Sequence, residues 1–404
     1  MTAFKLHRPA ASLMVSLFFL LAALFLFPFD AVAANSSPQP SPFIERIYQF
    51  GDSISDTGNL LRLSGTRMFY PAYRLPYGET YFGKATGRFS DGRLIVDFIA
   101  DHLRLPFVEP YLNKNAAFAH GVNFAVGGAT ACDEEFFTKR NITSVTGFKP
   151  PMSTQLEWFE KYLDTTYGSN RTSIERSRSF EKSLLVFGEF GGNDYAKFLR
   201  EGKSSPEVIK TCVPYVVDAI IRGINRTVEL GAKRILVPGP FPTGCLVSQL
   251  ASGQTDSAAA YDEFGCLISL NNIGSTHDRV LRGALSLLRR EVAGKGVVIV
   301  YGDYEGAFRQ ILRNPSLHGF DKEWLLKACC GAGGEGSNEY RYDIAKPCGT
   351  FGTDVCANPG RALQWDGVHL TDAAHRRIVH LLLTDPAVNH LLFKPHLFQN
   401  YSPI

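Results

Sequence analysis

The sequence predicts an α/β fold with a mostly parallel central sheet. Three observations carry that expectation. Short apolar runs of strand length recur along the chain, and segments of helical periodicity separate them. The composition, 45% hydrophobic and 20% charged with 37 glycines, suits a large packed core joined by tight turns. Strands alternating with helices read as βαβ units, whose parallel sheet is covered on both faces.

The elements follow in chain order. Ile47–Phe50 is the first expected strand; Leu184–Phe187, Ile235–Val237 and Val297–Tyr301 are the later ones. A stripe of Leu94, Ile95, Phe98, Ile99, His102 and Leu103 marks a helix over 93–103. Thr154 and Glu157 have the spacing of a capping box opening a helix near 155–163. Residues 206–230 read as a helix bent at Pro214 and ended by Gly231. A long helical stretch is expected over 256–292, and another from Thr371 to Leu383. The Gly/Cys-rich segment 329–360 reads as the longest irregular loop. No internal repeat or interdomain linker is visible, so residues 43–404 read as one domain with large loop insertions.

Residues 1–34 have the form of a secretory signal peptide. Lys5 and Arg8 precede an apolar run from Leu13 to Phe27, and Ala31-Val32-Ala33 offers the small residues of a cleavage site. The rival is a membrane anchor, but the run falls short of the ~20 residues a bilayer needs, and Pro28 and Asp30 end it. Residues 35–42 read as a flexible Pro/Ser linker. The mature chain is expected to be soluble, either extracellular or vacuolar by the secretory route. Lys+Arg 42 against Asp+Glu 39 gives +3, a balance that argues against nucleic acid or an anionic membrane as partner. A monomer is expected, since no assembly signal is present.

All eight cysteines (Cys132, Cys212, Cys245, Cys266, Cys329, Cys330, Cys348 and Cys356) lie in the mature part. No CxxC pair favours zinc, and an oxidising compartment favours disulfides. A local pairing of Cys329 or Cys330 with Cys348 or Cys356 is expected; the rest of the connectivity stays open. Sequons at Asn141, Asn170, Asn225 and Asn400 are candidate glycosylation sites, with Asn35 close to the cleavage point.

Four segments could carry chemistry. Gly51-Asp52-Ser53 follows a strand, and ligands of open parallel sheets bind beyond the carboxyl ends of strands. Ser53 is therefore a candidate nucleophile, set against an ordinary helix-capping turn. The GxSxG elbow is absent. Asp366 and His369, three apart before a helix, could supply a base and its orienting partner. None of the other histidines combines a close Asp with a loop before a helix; His277 has Asp278 beside it, but that pair sits within a helical pattern that points the two side chains apart. Asn193 in Gly191-Gly192-Asn193-Asp194 could donate to an oxyanion, as could the Gly128 N–H in Gly127-Gly128-Ala129. Each of the last two also reads as a glycine-rich turn.

Taken in order, GDS, NFAxGGA, GGND and DGxH resemble the blocks of the GDSL esterases and lipases, the SGNH hydrolases, over about residues 45–385. Pro238-Gly239-Pro240-Phe241-Pro242-Thr243-Gly244-Cys245 and Cys329-Cys330-Gly331 are similar to the plant branch. Ile54 stands where the family name has Leu, one apolar residue for another. The resemblance implies a flavodoxin-like three-layer α/β/α sandwich. It implies Ser53 as nucleophile, His369 as base and Asp366 as its orienting residue. Ser53 N–H, Gly128 N–H and the Asn193 amide are the implied oxyanion hole, and neither metal nor organic cofactor is required. The expected activity is hydrolysis of a small acyl ester; local texture around Gln49–Asn59 and Pro76–Phe82 is similar to the branch of sinapine and acetylajmalan esterases. An acyltransferase using the same acyl-enzyme, a lipase for longer acyl chains and a non-catalytic binding protein are the alternatives.

Overall fold

The computed structural model describes residues 43–63, 71–143, 149–168, 180–333 and 338–393. The signal peptide, the linker and the sequons at Asn35, Asn170 and Asn400 lie outside them. Five strands form one sheet: β1 (Arg46–Phe50), β2 (Gly121–Asn123), β3 (Ser183–Phe187), β4 (Arg234–Pro238) and β5 (Val298–Gly302). All neighbours run parallel, in the order β2-β1-β3-β4-β5. This is the flavodoxin-like order, and the chain changes direction across the sheet between β1 and β3. β2 was not among the expected strands; at three residues it has no period to read. Its Gly121 is obligatory, because a Cβ there would lie 1.8 Å from the Ile47 carbonyl oxygen of β1.

Successive side chains in a strand point to opposite faces, and that pleat sorts the core into two layers. Tyr48, Phe50, Leu185, Phe187, Ile235, Val237 and Ile299 point to one face, and Ile47, Leu184, Val186, Leu236, Val298 and Val300 to the other. The main helices are α1 (Ile95–His102), α2 (Met152–Tyr167), α3 (Gly192–Arg200), α4 (Val213–Glu229), α5 (Ile268–Glu291), α6 (Tyr304–Arg313), α7 (Asp372–Thr384) and α8 (Pro386–Phe393). Helices α2, α4 and α5 cover the first face through residues such as Phe159, Ile220 and Leu285. Helices α1, α6, α7 and α8 cover the second through Phe98, Phe308, Ile378 and Leu391. The result is a three-layer α/β/α sandwich, as the sequence leads one to expect.

Several boundaries differ from the sequence reading. α2 starts at Met152 behind Pro151, not at a Thr154 capping box, because Met152 N–H already finds Thr130 O at 2.9 Å. The 206–230 stretch is two helices that break at Cys212, with Pro214 in the first turn of α4. The 256–292 stretch is α-helical only from Ile268, after a short 3-10 turn at Ala258–Ala260. The Cys245–Cys266 disulfide and a Leu267 N–H bond to Gly244 O, at 2.9 Å, hold the residues just before it out of the helix. Segment 329–360 is not wholly irregular: β6 (Cys330–Ala332) and β7 (Thr353–Val355) pair antiparallel, stapled by Cys329–Cys356 and Cys330–Cys348.

The expectation that all eight cysteines serve as staples is corrected: Cys132 and Cys212 are free and buried. Burial and the neighbouring Asp194 carboxylate push both thiols well above their ordinary range. The protonated thiol is not the reactive form in disulfide exchange. Asn141 sits on an exposed turn, while Asn225 lies within α4, beside a fully buried Thr227.

Candidate active site

The carboxyl ends of β1, β2 and β3 converge on Ser53. Gly51 turns the chain sharply out of β1 at φ +148, and a Cβ there would lie 2.9 Å from Gly188 O at the end of β3. Gln155 on α2 clamps this turn from both sides, its Oε1 accepting Gly51 N–H at 3.0 Å and its Nε2 donating to Gly51 O at 2.8 Å. Asp52 accepts Ile54 N–H at 2.9 Å, which fixes the bend after Ser53.

The acidic and amide residues of this segment knit the turns together. Asp56 accepts N–H bonds from Gly58, Asn59, Leu60 and Gly127, and Asn123 Nδ2 donates to Ser55 O at 2.7 Å. The loop bearing Gly128 is thus held to the loop bearing Ser53. Asp194 does the same for the third segment, accepting Ala131 N–H at 2.9 Å and Cys132 N–H at 3.0 Å.

His369 and Asp366 come from the loop that precedes α7, 316 residues from Ser53, yet His369 Nε2 lies 2.8 Å from Ser53 Oγ. Nδ1 of the same ring lies 2.7 Å from Asp366 Oδ2. With Nδ1–H donating to the carboxylate, Nε2 is left to accept the Ser53 hydroxyl proton. Asp366 also accepts N–H bonds from Val368 at 3.0 Å and His369 at 2.9 Å, and the Tyr77 hydroxyl donates to its Oδ2 at 2.6 Å. Burial pushes this carboxyl up, but the His369 charge and these hydrogen bonds outweigh it and hold it at about 2. It is ionised at neutral pH.

The segment 364–365 anchors the Asp–His loop. Gln364 O accepts Cys329 N–H at 3.1 Å and Trp365 O accepts Cys330 N–H at 2.7 Å, so both disulfides of the β6–β7 hairpin bear on it. The Gln364 side chain donates to Cys245 O at 2.9 Å, beside the third disulfide. On the other flank, the Arg93 guanidinium grips Asp372 at 2.9 and 3.1 Å, and Asp372 N–H donates to Asp91 at 2.7 Å. Thr371 caps α7 through Ala374 N–H.

Gly128 takes φ +82, and among the described residues neither its N–H nor that of Ser53 has a protein acceptor. Asn193, at the start of α3, reaches the same place. Its Nδ2 donates to Asp52 Oδ2 at 2.7 Å and to Ala129 O at 3.0 Å. One of those hydrogens must be shared before the amide can serve a third acceptor. Burial raises Asp52 to about 6, and burial with the nearby Asp52 charge raises Glu189 well above the carboxylate range. The structure therefore brings together all five residues singled out in the sequence. His277 and Asp278 diverge, to Tyr195 and Tyr301 respectively. Tyr77, Gln155 and Glu189 were missed as site residues; each acts across the fold and has no short-range signature.

The arrangement can activate a hydroxyl and hold an oxyanion, the two requirements of acyl transfer. Comparison with known proteins agrees. Residues 47–382 match the GDSL-like lipase/acylhydrolase family. Acetylajmalan esterase 1 of Rauvolfia serpentina is 41% identical over 341 residues, covering 84% of this chain and 86% of that protein. Sinapine esterase of Brassica napus is 41% identical over 369 residues, 91% and 92% of the two chains. A GDSL esterase/lipase of Arabidopsis thaliana is 40% identical over 365 residues, 90% and 92%. The chain belongs to the GDSL-like lipase/acylhydrolase family and is a hydrolase acting on ester bonds.

Proposed function

We propose that this enzyme is a secreted carboxylesterase that cleaves a small acyl ester through an acyl-enzyme on Ser53. The observation that carries the reading is the unbroken relay from Ser53 Oγ through His369 to Asp366, at 2.8 and 2.7 Å. His369 Nε2 takes the hydroxyl proton as Oγ attacks the ester carbonyl. Ser53 N–H and Gly128 N–H, joined by the Asn193 amide, hold the oxyanion of the tetrahedral intermediate. His369 returns the proton to the departing alcohol, and the acyl group stays on Oγ. A water deprotonated by His369 then attacks the acyl carbon, the bond to Oγ breaks, and His369 returns the proton to Ser53 Oγ as the acid leaves. Asp366 orients the ring and stays ionised throughout.

Acetyl and hydroxycinnamoyl esters of specialised metabolites are the substrates we infer, on the likeness to proteins named for acetylajmalan and sinapine. Secretion, to the cell exterior or to the vacuole, is supported by three disulfides and by a sequon on the exposed Asn141 turn. No helix among the described residues is long and apolar enough to cross a membrane. The test is hydrolysis of p-nitrophenyl acetate and of a series of acetyl, hydroxycinnamoyl and longer acyl esters. Ser53→Ala should abolish turnover of all of them with the fold intact. Activity that survives this substitution would remove Ser53 from the mechanism, and a preference for long chains would remove the substrate assignment.

A further inference from the structure

We propose that Tyr77 is a positioning residue for the catalytic relay, its hydroxyl orienting the Asp366 carboxylate and tempering the negative charge that Asp366 presents to His369. The inference rests on the reading of Ser53, His369 and Asp366 given above. Tyr77 is fully buried, and its hydroxyl donates to Asp366 Oδ2 at 2.6 Å. That is the nearer of the two oxygens that face His369 Nδ1, at 2.7 Å against 2.9 Å for Oδ1. Two donors therefore share one carboxylate oxygen, and the electron density that Tyr77 draws is withdrawn from the bond to the imidazole.

The ring is built into the site as well. It packs edge-on against Trp365, the residue before Asp366, with centroids 5.9 Å apart, and against Phe89 at 6.3 Å. Phe89 in turn lies over the His369 ring at 4.7 Å. Tyr77 thus touches the carboxylate directly and the imidazole through one intervening ring. Burial and the Asp366 charge keep the phenol protonated far above neutral pH, so it remains a donor. Arg74 faces the phenol, and Tyr342 lies near Asp366. Asp52 and His375 interact electrostatically with His369. None of these four is hydrogen-bonded to the Asp366 carboxylate among the described residues, whereas Tyr77 is.

The experiment is the pH dependence of kcat/KM for Tyr77→Phe, which keeps the ring and removes the hydroxyl. Without the second donor Asp366 holds the imidazolium more strongly. The acid limb should move to higher pH by about 0.5–1 unit, roughly half of the 1–2 units that a hydrogen bond to a charged group is worth, since the effect reaches His369 through Asp366. The kcat at the plateau should fall ~10-fold with KM unchanged, since the loss is of orientation in the transition state. Replacing Tyr77 with 3-fluorotyrosine, a stronger donor of nearly the same shape, should move the limb to lower pH and tests the idea even if the Phe variant fails to fold. In an Asp366→Asn background, Tyr77→Phe should cost little more. Profiles that superimpose on the wild type, or an undiminished cost in the Asp366→Asn background, would overturn the role of Tyr77. Loss of activity in Ser53→Ala alongside such a result would leave the relay itself standing.

Discussion

At the residue scale the site is an arrangement of donors aimed at few acceptors. The N–H groups of Ser53 and Gly128 are ready, while Asn193 spends its amide on Asp52 and Ala129 at rest. Asn193→Ala should lower kcat by ~10²–10³ with little change in melting temperature, the cost of one oxyanion donor. A loss below threefold would assign the oxyanion to the two backbone groups alone. Behind Ser53 lie three buried carboxyls, Asp52 near 6, Asp194 near 7 and Glu189 well above the carboxylate range, all raised first by burial. Acids whose values are raised on folding favour the folded state below their unfolded values and lose that advantage as pH rises through their folded ones. The melting temperature should therefore fall as pH rises from about 4 to 7, through the Asp52 and Asp194 values. Glu189→Gln, which can still donate to Asp52 but has no proton to lose, should flatten that fall. An unchanged slope in calorimetry would show that Glu189 does not carry it.

At the element scale the β6–β7 hairpin and the start of α7 hold the Asp–His loop as a vice. The hairpin loops are closed by disulfides 27 and 18 residues apart in sequence, each worth ~3 kcal/mol in the chain-entropy account. Cys330 N–H and Cys329 N–H both end on the segment 364–365 that leads into Asp366. The main sheet has no such dependence, since its order rests on buried apolar faces. Mild reduction should remove ester hydrolysis while far-ultraviolet circular dichroism stays near its starting value, a local rather than a global opening. If activity and ellipticity decay together, the hairpin is part of one cooperative unit with the sheet. Cys132 and Cys212 take no part in this: an oxyanion loop tied by Asp194 needs no disulfide.

At the scale of the whole molecule, the sheet places its switch point where β1 and β3 end, and the four motif segments meet there. The layer that supports Ser53 from behind is aromatic. Phe159 of α2 packs against Tyr48, Phe50, Phe124 and Phe180, with centroids between 5.3 and 5.9 Å. Phe159→Ala should destabilise the protein by ~3–5 kcal/mol through the cavity it opens. Hydrolysis measured well below the new melting temperature should persist, because Gln155 still clamps Gly51 from the same helix. Loss of activity in the folded variant would mean that the aromatic layer itself aims the nucleophile.

The sequence by itself determined the α/β class, four of the five main strands and the five candidate site residues that the fold brings together. Local period and short motifs encode these, and both are written in neighbouring residues. It did not show β2, whose three residues depend on Gly121 meeting Ile47, nor the helix start at Met152, where Thr130 replaces a local cap. It did not separate six staples from two thiols, because pairing is a matter of distance in the folded chain. Tyr77 stood in plain view beside Pro76, yet its partner Asp366 is 289 residues away. Only the tertiary structure decided such partners, for a hydrogen bond between distant segments exists only once the packing of both layers has fixed where their backbones run.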